Sequence, residues 1–202
     1  LNCDKPIFNL TVGLTTLDIP TAFTSISTIQ QLVPIAKYAQ GHVSGALSIA
    51  GPLARDMSPV LTALAGKGEI TTDSLILKGA PLMQKLASSL SLAQLGSSAM
   101  IGAVHASIDI ADGRLHVKPF TAHVGGLDLT TSGSNGIDQS IAYDVALAVP
   151  RASLGTEATA AITKLATQAG RLGAQLPAGD VIKLRATVTG TMTNPNVATN
   201  FA

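Results

Sequence analysis

The chain has 202 residues and a net charge of +1, and only 12% of its residues are charged against 46% hydrophobic. With no Lys/Arg cluster, electrostatic binding to nucleic acid has no footing, and the apolar runs stop far short of the ~18 residues that a membrane-spanning helix needs. A single cysteine, Cys3, excludes an internal disulfide.

The mean hydropathy is +0.38, yet aromatics make up 3% and there is no Trp. The apolar mass is therefore aliphatic, and the polar surface falls to Ser, Thr, Gln and Asn. Such a balance points to extensive buried or ligand-covered apolar surface in a non-cytosolic setting. One sizeable core suffices for this length, so residues 1–202 are expected to form a single domain. The chain begins without Met and enters a strand almost at once. It is expected to be a fragment of a longer protein, with any signal or membrane anchor upstream.

Phe8, Leu10, Val12 and Leu14 alternate with polar or small residues and predict a first strand. Pro20 opens a helical patch bearing Ile29, Leu32, Val33 and Ala36, which Pro34 should kink or divide and Gly41 should stop. Val43, Gly45, Leu47 and Ile49 predict a second strand, ended by Gly51-Pro52. Asp56 is positioned to cap a short helix carrying Met57, Val60, Leu61 and Leu64, closed by Gly66 and Gly68. Ile70, Leu75 and Leu77 predict a third strand with an irregularity near Thr72-Asp73. A helix follows from Pro81 to about Leu95, with Leu82, Leu86, Leu90 and Ala93 on one stripe.

The stretch Ala106–Gly155 organises the rest. Asp112-Gly113 and Gly125-Gly126 are two-residue hairpin turns, because primed turns need positive φ at their centre. They place Ile110 opposite Leu115, Ile108 opposite Val117, Val124 opposite Leu127 and Ala122 opposite Leu129. A three-residue loop ending on Gly136 keeps that parity, with Leu129 opposite Ile141 and Leu127 opposite Tyr143. Pro119 sits where the apolar parity changes, which predicts a bulge. The longest helix is expected from about Thr156 to Leu176, and the final strand from Val181 to Gly190. The expected fold is α+β: one large, curved antiparallel sheet in a meander, with helices packed on its apolar face.

Chemistry is harder to find. G-x-S-x-G, H-E-x-x-H, P-loop and G-x-G-x-x-G motifs are all missing from the sequence, so no enzymatic activity and no cofactor are expected. The turns set Asp109 opposite His116 and His123 opposite Asp128, with His105 on the same face. Strand neighbours four apart lie ~13 Å apart, too far for His105 and His116 to share a metal, so His–Asp pairs on a wet face are expected instead. A continuous aliphatic face without charge is what a groove for acyl chains needs. The candidate lipid-binding residues are Val104, Ile108, Ile110, Leu127, Leu129, Ile141, Tyr143, Val145 and Leu147. The same residues would serve equally well to bury the domain's own helices.

Several motifs, in order, cover nearly the whole chain. They are Thr28-Ile29-Gln30-Gln31-Leu32-Val33-Pro34-Ile35-Ala36, Asp56-Met57-Ser58-Pro59-Val60-Leu61, Asp112-Gly113-Arg114-Leu115 with Lys118-Pro119-Phe120, Gln139 to Asp144, Val149 to Gly155, and Ala186 to Thr191 with Asn194-Pro195. In that order and spacing they resemble the C-terminal region of AsmA-family proteins, in the versions found in Bacteroidetes-type Gram-negative bacteria. The resemblance implies a periplasmic domain, held at the inner membrane by an N-terminal anchor absent from this sequence. It implies a part in phospholipid transport or outer-membrane biogenesis, with a phospholipid or other acyl-chain lipid as partner. It carries no catalytic motif.

Overall fold

A computed structural model describes residues 6–90, 98–150 and 181–201. Its core architecture is an eleven-stranded antiparallel sheet. The strands are β1 (Ile7–Asp18), β2 (Ala39–Pro52), β3 (Ala65–Thr72), β4 (Leu75–Lys78), β5 (Ser98–Ile101), β6 (Val104–Ala111), β7 (Arg114–Val124), β8 (Leu127–Gly136), β9 (Ile141–Pro150), β10 (Val181–Gly190) and β11 (Pro195–Phe201). Helices α1 (Ile19–Ser25), α2 (Ser27–Leu32) and α3 (Pro81–Leu90) lie in the connections.

The registers reveal a simpler plan than the strand count suggests. β3 and β4 both pair with β2, and their registers differ by one residue across Thr72–Ser74. They are two halves of one long strand, broken at the irregularity expected near Thr72-Asp73. β5 and β6 pair with β4 and β3 in one unbroken register, and both then pair with β7. The sheet is thus a meander in which each long strand lies beside the next in sequence. Among the described residues, β1 pairs only with β2 and β11 only with β10.

Period-two patterning gives this sheet one aliphatic inner face and one polar outer face. On β10, Leu184, Ala186 and Val188 are buried, while Lys183, Arg185 and Thr187 between them are exposed. The helices cover two parts of the inner face. In α3, Leu82, Met83, Leu86 and Ala87 form one stripe that joins Val124, Leu127, Leu147 and Val188 in the larger core cluster. The backbone of α3 also lies against β11, the far edge, so the sheet curls around the helix. In α2, Leu32 caps a second cluster with Leu64, Ile108, Ile110 and Leu115.

The hairpins follow the turn chemistry. Asp112, Gly113, Gly125 and Gly126 all have positive φ, as two-residue primed turns require. Ile110 pairs with Leu115, Ile108 with Val117, Val124 with Leu127 and Ala122 with Leu129. A register shift falls between Val117 and Phe120, at Pro119. Pro34 divides the first helical patch, ending α2 and opening a 3₁₀ turn over Pro34–Tyr38. Asp18 caps α1, accepting from the Thr21 amide at 2.9 Å.

Several expectations change. β8 continues through Ser134-Asn135-Gly136, so the third turn lies at Ile137–Ser140, with Gln139 rather than Gly136 in the left-handed region. Leu129 therefore faces Leu147, and Ile141 faces Asn135. The slip from the expected register is even, so each side chain keeps its face. Asp56 caps no α-helix: its carboxylate accepts from the Ser58 amide and hydroxyl, Met57 is left-handed, and Pro59 bridges back to Leu53. A left-handed residue with a proline two positions later prevents a regular helical turn. Only a 3₁₀ turn, Leu61–Ala63, forms there, and Gly66 and Gly68 belong to β3. Finally, β11 is a strand the sequence reading passed over. The helix expected from Thr156 to Leu176, and the last turn of the one ending near Leu95, lie outside the described residues.

Candidate functional site

The candidate site is the inner face itself, which is built from the alternate residues of every strand. By the registers, its side chains from β1 to β11 are Leu, Val, Ile, Ala, Gly and Phe, with Thr72, Thr131, Asn135 and Tyr143 among the few polar ones. No charged side chain projects from it among the described residues.

The nine expected lipid-binding residues fall on this face but not into one group. Leu127, Leu129, Ile141, Val145 and Leu147 are buried in the larger cluster, with Val104 and Tyr143 partly buried against it. Ile108 and Ile110 belong to the second cluster, under Leu32 and Leu64. Seven of the nine are thus enclosed by the protein's own side chains. The half-open part of the face lies elsewhere, on β1 and the adjoining stretch of β2. Leu10 is 50% exposed, and Val12, Leu14, Leu17 and Val43 are only half-buried and belong to neither cluster. Leu10 pairs with Ile49, Val12 with Leu47, and Leu17 with Val43, which keeps these side chains on one face. Next to them the β2 and β3 backbones approach closely: a Cβ on Gly45 would run into the Glu69 carbonyl oxygen. Alternation in β1 signalled this strip from the sequence as clearly as it signalled β8 and β9.

One polar node interrupts the oil. Asn135, 2% exposed, donates from Nδ2 to the Leu32 carbonyl at 3.3 Å and so ties β8 to α2. Its Oδ1 is buried and has no hydrogen-bond partner among the described residues. Tyr143 lies beside it, with its ring over Gly133. Burial pushes the Tyr143 hydroxyl pKa up to about 12, only partly offset by the Asn135 amide and the Arg114 charge. On the far side of the strands, Arg114 donates to the Ser134 and Ser140 hydroxyls at 3.0 and 2.8 Å. Ser140 in turn donates to Asp138 at 2.6 Å. That hydroxyl, then the Ser140 amide, holds the Asp138 carboxyl below its ordinary range.

The outer face is wet and carries the expected cross-strand pairs in part. His123 Nδ1 lies 2.9 Å from Asp128. Asp109 sits opposite His116 in register but pairs with Lys118 instead, at 3.1 Å. His105 is 4.0 Å from Glu69. These groups are all exposed, so each pair contributes little. Among the described residues no group of three His, Cys, Asp or Glu is placed to hold a metal ion, and no helix is long and apolar enough to cross a membrane.

The geometry defines a class: a curled antiparallel sheet, oily on one side, with part of that side only half-buried among the described residues. No protein-family model, curated protein or solved structure matches the chain.

Proposed function

We propose that this is a non-enzymatic domain of the Gram-negative periplasm, part of an AsmA-like protein held at the inner membrane, that shelters acyl chains during phospholipid transport or outer-membrane biogenesis. A single observation supports the reading. The inner face is predominantly aliphatic and, among the described residues, uncharged, and at Leu10, Val12, Leu14, Leu17 and Val43 it remains half open. Hydrocarbon laid on such a strip gains about 25 cal/mol per Å² of apolar surface removed from water. A charge in the groove would cancel that gain.

A second reading is an envelope scaffold that never touches lipid. The enclosure of Leu127, Leu129, Ile141, Val145 and Leu147 in the protein's own core favours it. Native mass spectrometry of the chain purified from a bacterial host separates the two. Under the first reading phospholipid is retained, and Val12→Gln with Leu14→Gln releases it without unfolding the protein. A lipid-free wild-type domain selects the scaffold.

A further inference from the structure

We infer that α2 is a latch over the second cluster, and that its release extends the half-open strip to Ile108, Ile110 and Leu115. The purpose of that release rests on the acyl-chain reading; the release itself does not. β1 and β2 lie side by side, with Leu17 opposite Val43 and Asp18 opposite His42. Residues 19–38 between them therefore form a flap that leaves the sheet and rejoins it at one place. Such a flap can lift without parting a strand pair.

Root and tip of the flap are held differently. Ile19, Ile35 and Tyr38 fix the root against the larger cluster. The tip reaches the sheet through Leu32, with Val33 beside it, over Leu64, Ile108, Ile110 and Leu115. Ser27, Gln30 and Gln31 on its back are exposed, and Gln30 Nε2 donates to the Phe23 carbonyl within the flap. The polar tie to the sheet is the Asn135 amide, which donates to the Leu32 carbonyl at 3.3 Å, the long end for such a bond. Closing strips water from both ends of that amide, yet among the described residues only Nδ2 gains a partner. A buried acceptor without a partner costs free energy, so the latch shuts against a penalty that release relieves. Just past the tip, Val33 and Pro34 break the helix and supply a joint.

The surface under the latch is continuous with the half-open strip. Leu47 and Ile49 pack against the second cluster and pair with Val12 and Leu10. With Leu32 withdrawn, aliphatic surface runs from β1 across β2 to the hairpin of β6 and β7. α3 is likewise inserted between paired strands, β4 and β5. Four of its side chains are buried, against Leu32 alone in α2, so α3 stays shut.

Native-state hydrogen exchange of the lipid-free chain tests the latch. A six-residue helix does not persist off the sheet. The Gln30 and Val33 amides, bonded to the Ile26 and Ile29 carbonyls, are therefore expected to exchange through a local opening with little denaturant dependence. Leu32→Ala is expected to speed them about a hundredfold, while the β9 and β10 amides keep most of their protection. Asn135→Asp, which cannot donate to Leu32, should act in the same direction. A spin-labelled acyl chain should then broaden the Ile108 and Ile110 methyl groups more in Leu32→Ala than in the wild type. Local opening in a protein that takes up no acyl chain upholds the latch and removes the acyl-chain reading. Gln30 and Val33 amides that exchange only with the whole sheet overturn the inference, and so does a Leu32→Ala variant that strips α2 and β9 alike.

Discussion

The β7–β10 half of the sheet and the β1–β2 half are made of the same kinds of residue in the same alternation, yet they end in opposite conditions. Leu127, Leu147, Val149 and Val188 are almost wholly buried, beneath a cluster that includes the α3 stripe. Leu10 is half exposed, and Val12 and Leu14 beside it are only partly covered. Apolar patterning establishes which face of a strand avoids water but leaves open what covers that face. In one half the protein's own side chains cover it, and in the other the strip stays half exposed.

The sharpest way to break this comparison is to remove the same side chain from each half. Leu147→Ala in the filled half is expected to cost about 3 kcal/mol, the transfer term plus a cavity. Leu10→Ala at the open edge is expected to cost under ~1 kcal/mol. Urea unfolding of both variants measures the gap, and equal costs would show that the edge strip is as tightly packed as the core.

Tyr143, at the polar node beside Asn135, gives the next largest effect. Its pKa is raised from 10.0 to about 12, so the folded state holds the phenolic proton more firmly than the unfolded chain. The corresponding stability is complete below pH 10 and is lost as pH rises through the folded value. About 2 kcal/mol should disappear on that alkaline limb. Tyr143→Phe is expected to flatten the limb in denaturant midpoints measured from pH 9 to 12, and an unchanged slope would assign it to other groups.

The smallest effect is expected on the wet face. Lys118→Ala removes an exposed pair with Asp109 and should change stability by under ~0.5 kcal/mol, less still at high salt. A larger loss would mean that the outer face is structured by more than its hydrogen-bond ladders.

Much of the fold is legible in the sequence wherever its cause is local. Asp112-Gly113, Gly125-Gly126 and Pro119 act within a few residues, and each fixes a turn or bulge where its chemistry requires one. Ser134-Asn135-Gly136 looks like a turn on the same grounds, but Asn135 is held in the strand by α2, through a bond to Leu32 a hundred residues away. Local propensity yields there to a tertiary contact. The Asp56 side chain does engage the backbone, in a turn closed by Ser58 rather than at a helix cap, because Pro59 follows too soon. β11 is missed because Pro195 reads as a corner, although an edge strand tolerates proline at its first position.

The candidate site is legible only as a face. Alternation named the correct side of β6, β8 and β9 but could not reveal that α2 and α3 close over it. That depends on a helix crossing to a strand more than a hundred residues away. The same pattern on β1 marks the part left open, and nothing in the periodicity separates the two.

A spin-labelled acyl chain, titrated into protein with labelled Leu and Val methyl groups, tests the central claim most directly. The account predicts paramagnetic broadening of Leu10, Val12, Leu14 and Val43, with Leu147 and Val188 unaffected. Broadening confined to the buried half, or none at any saturating lipid concentration, would contradict it.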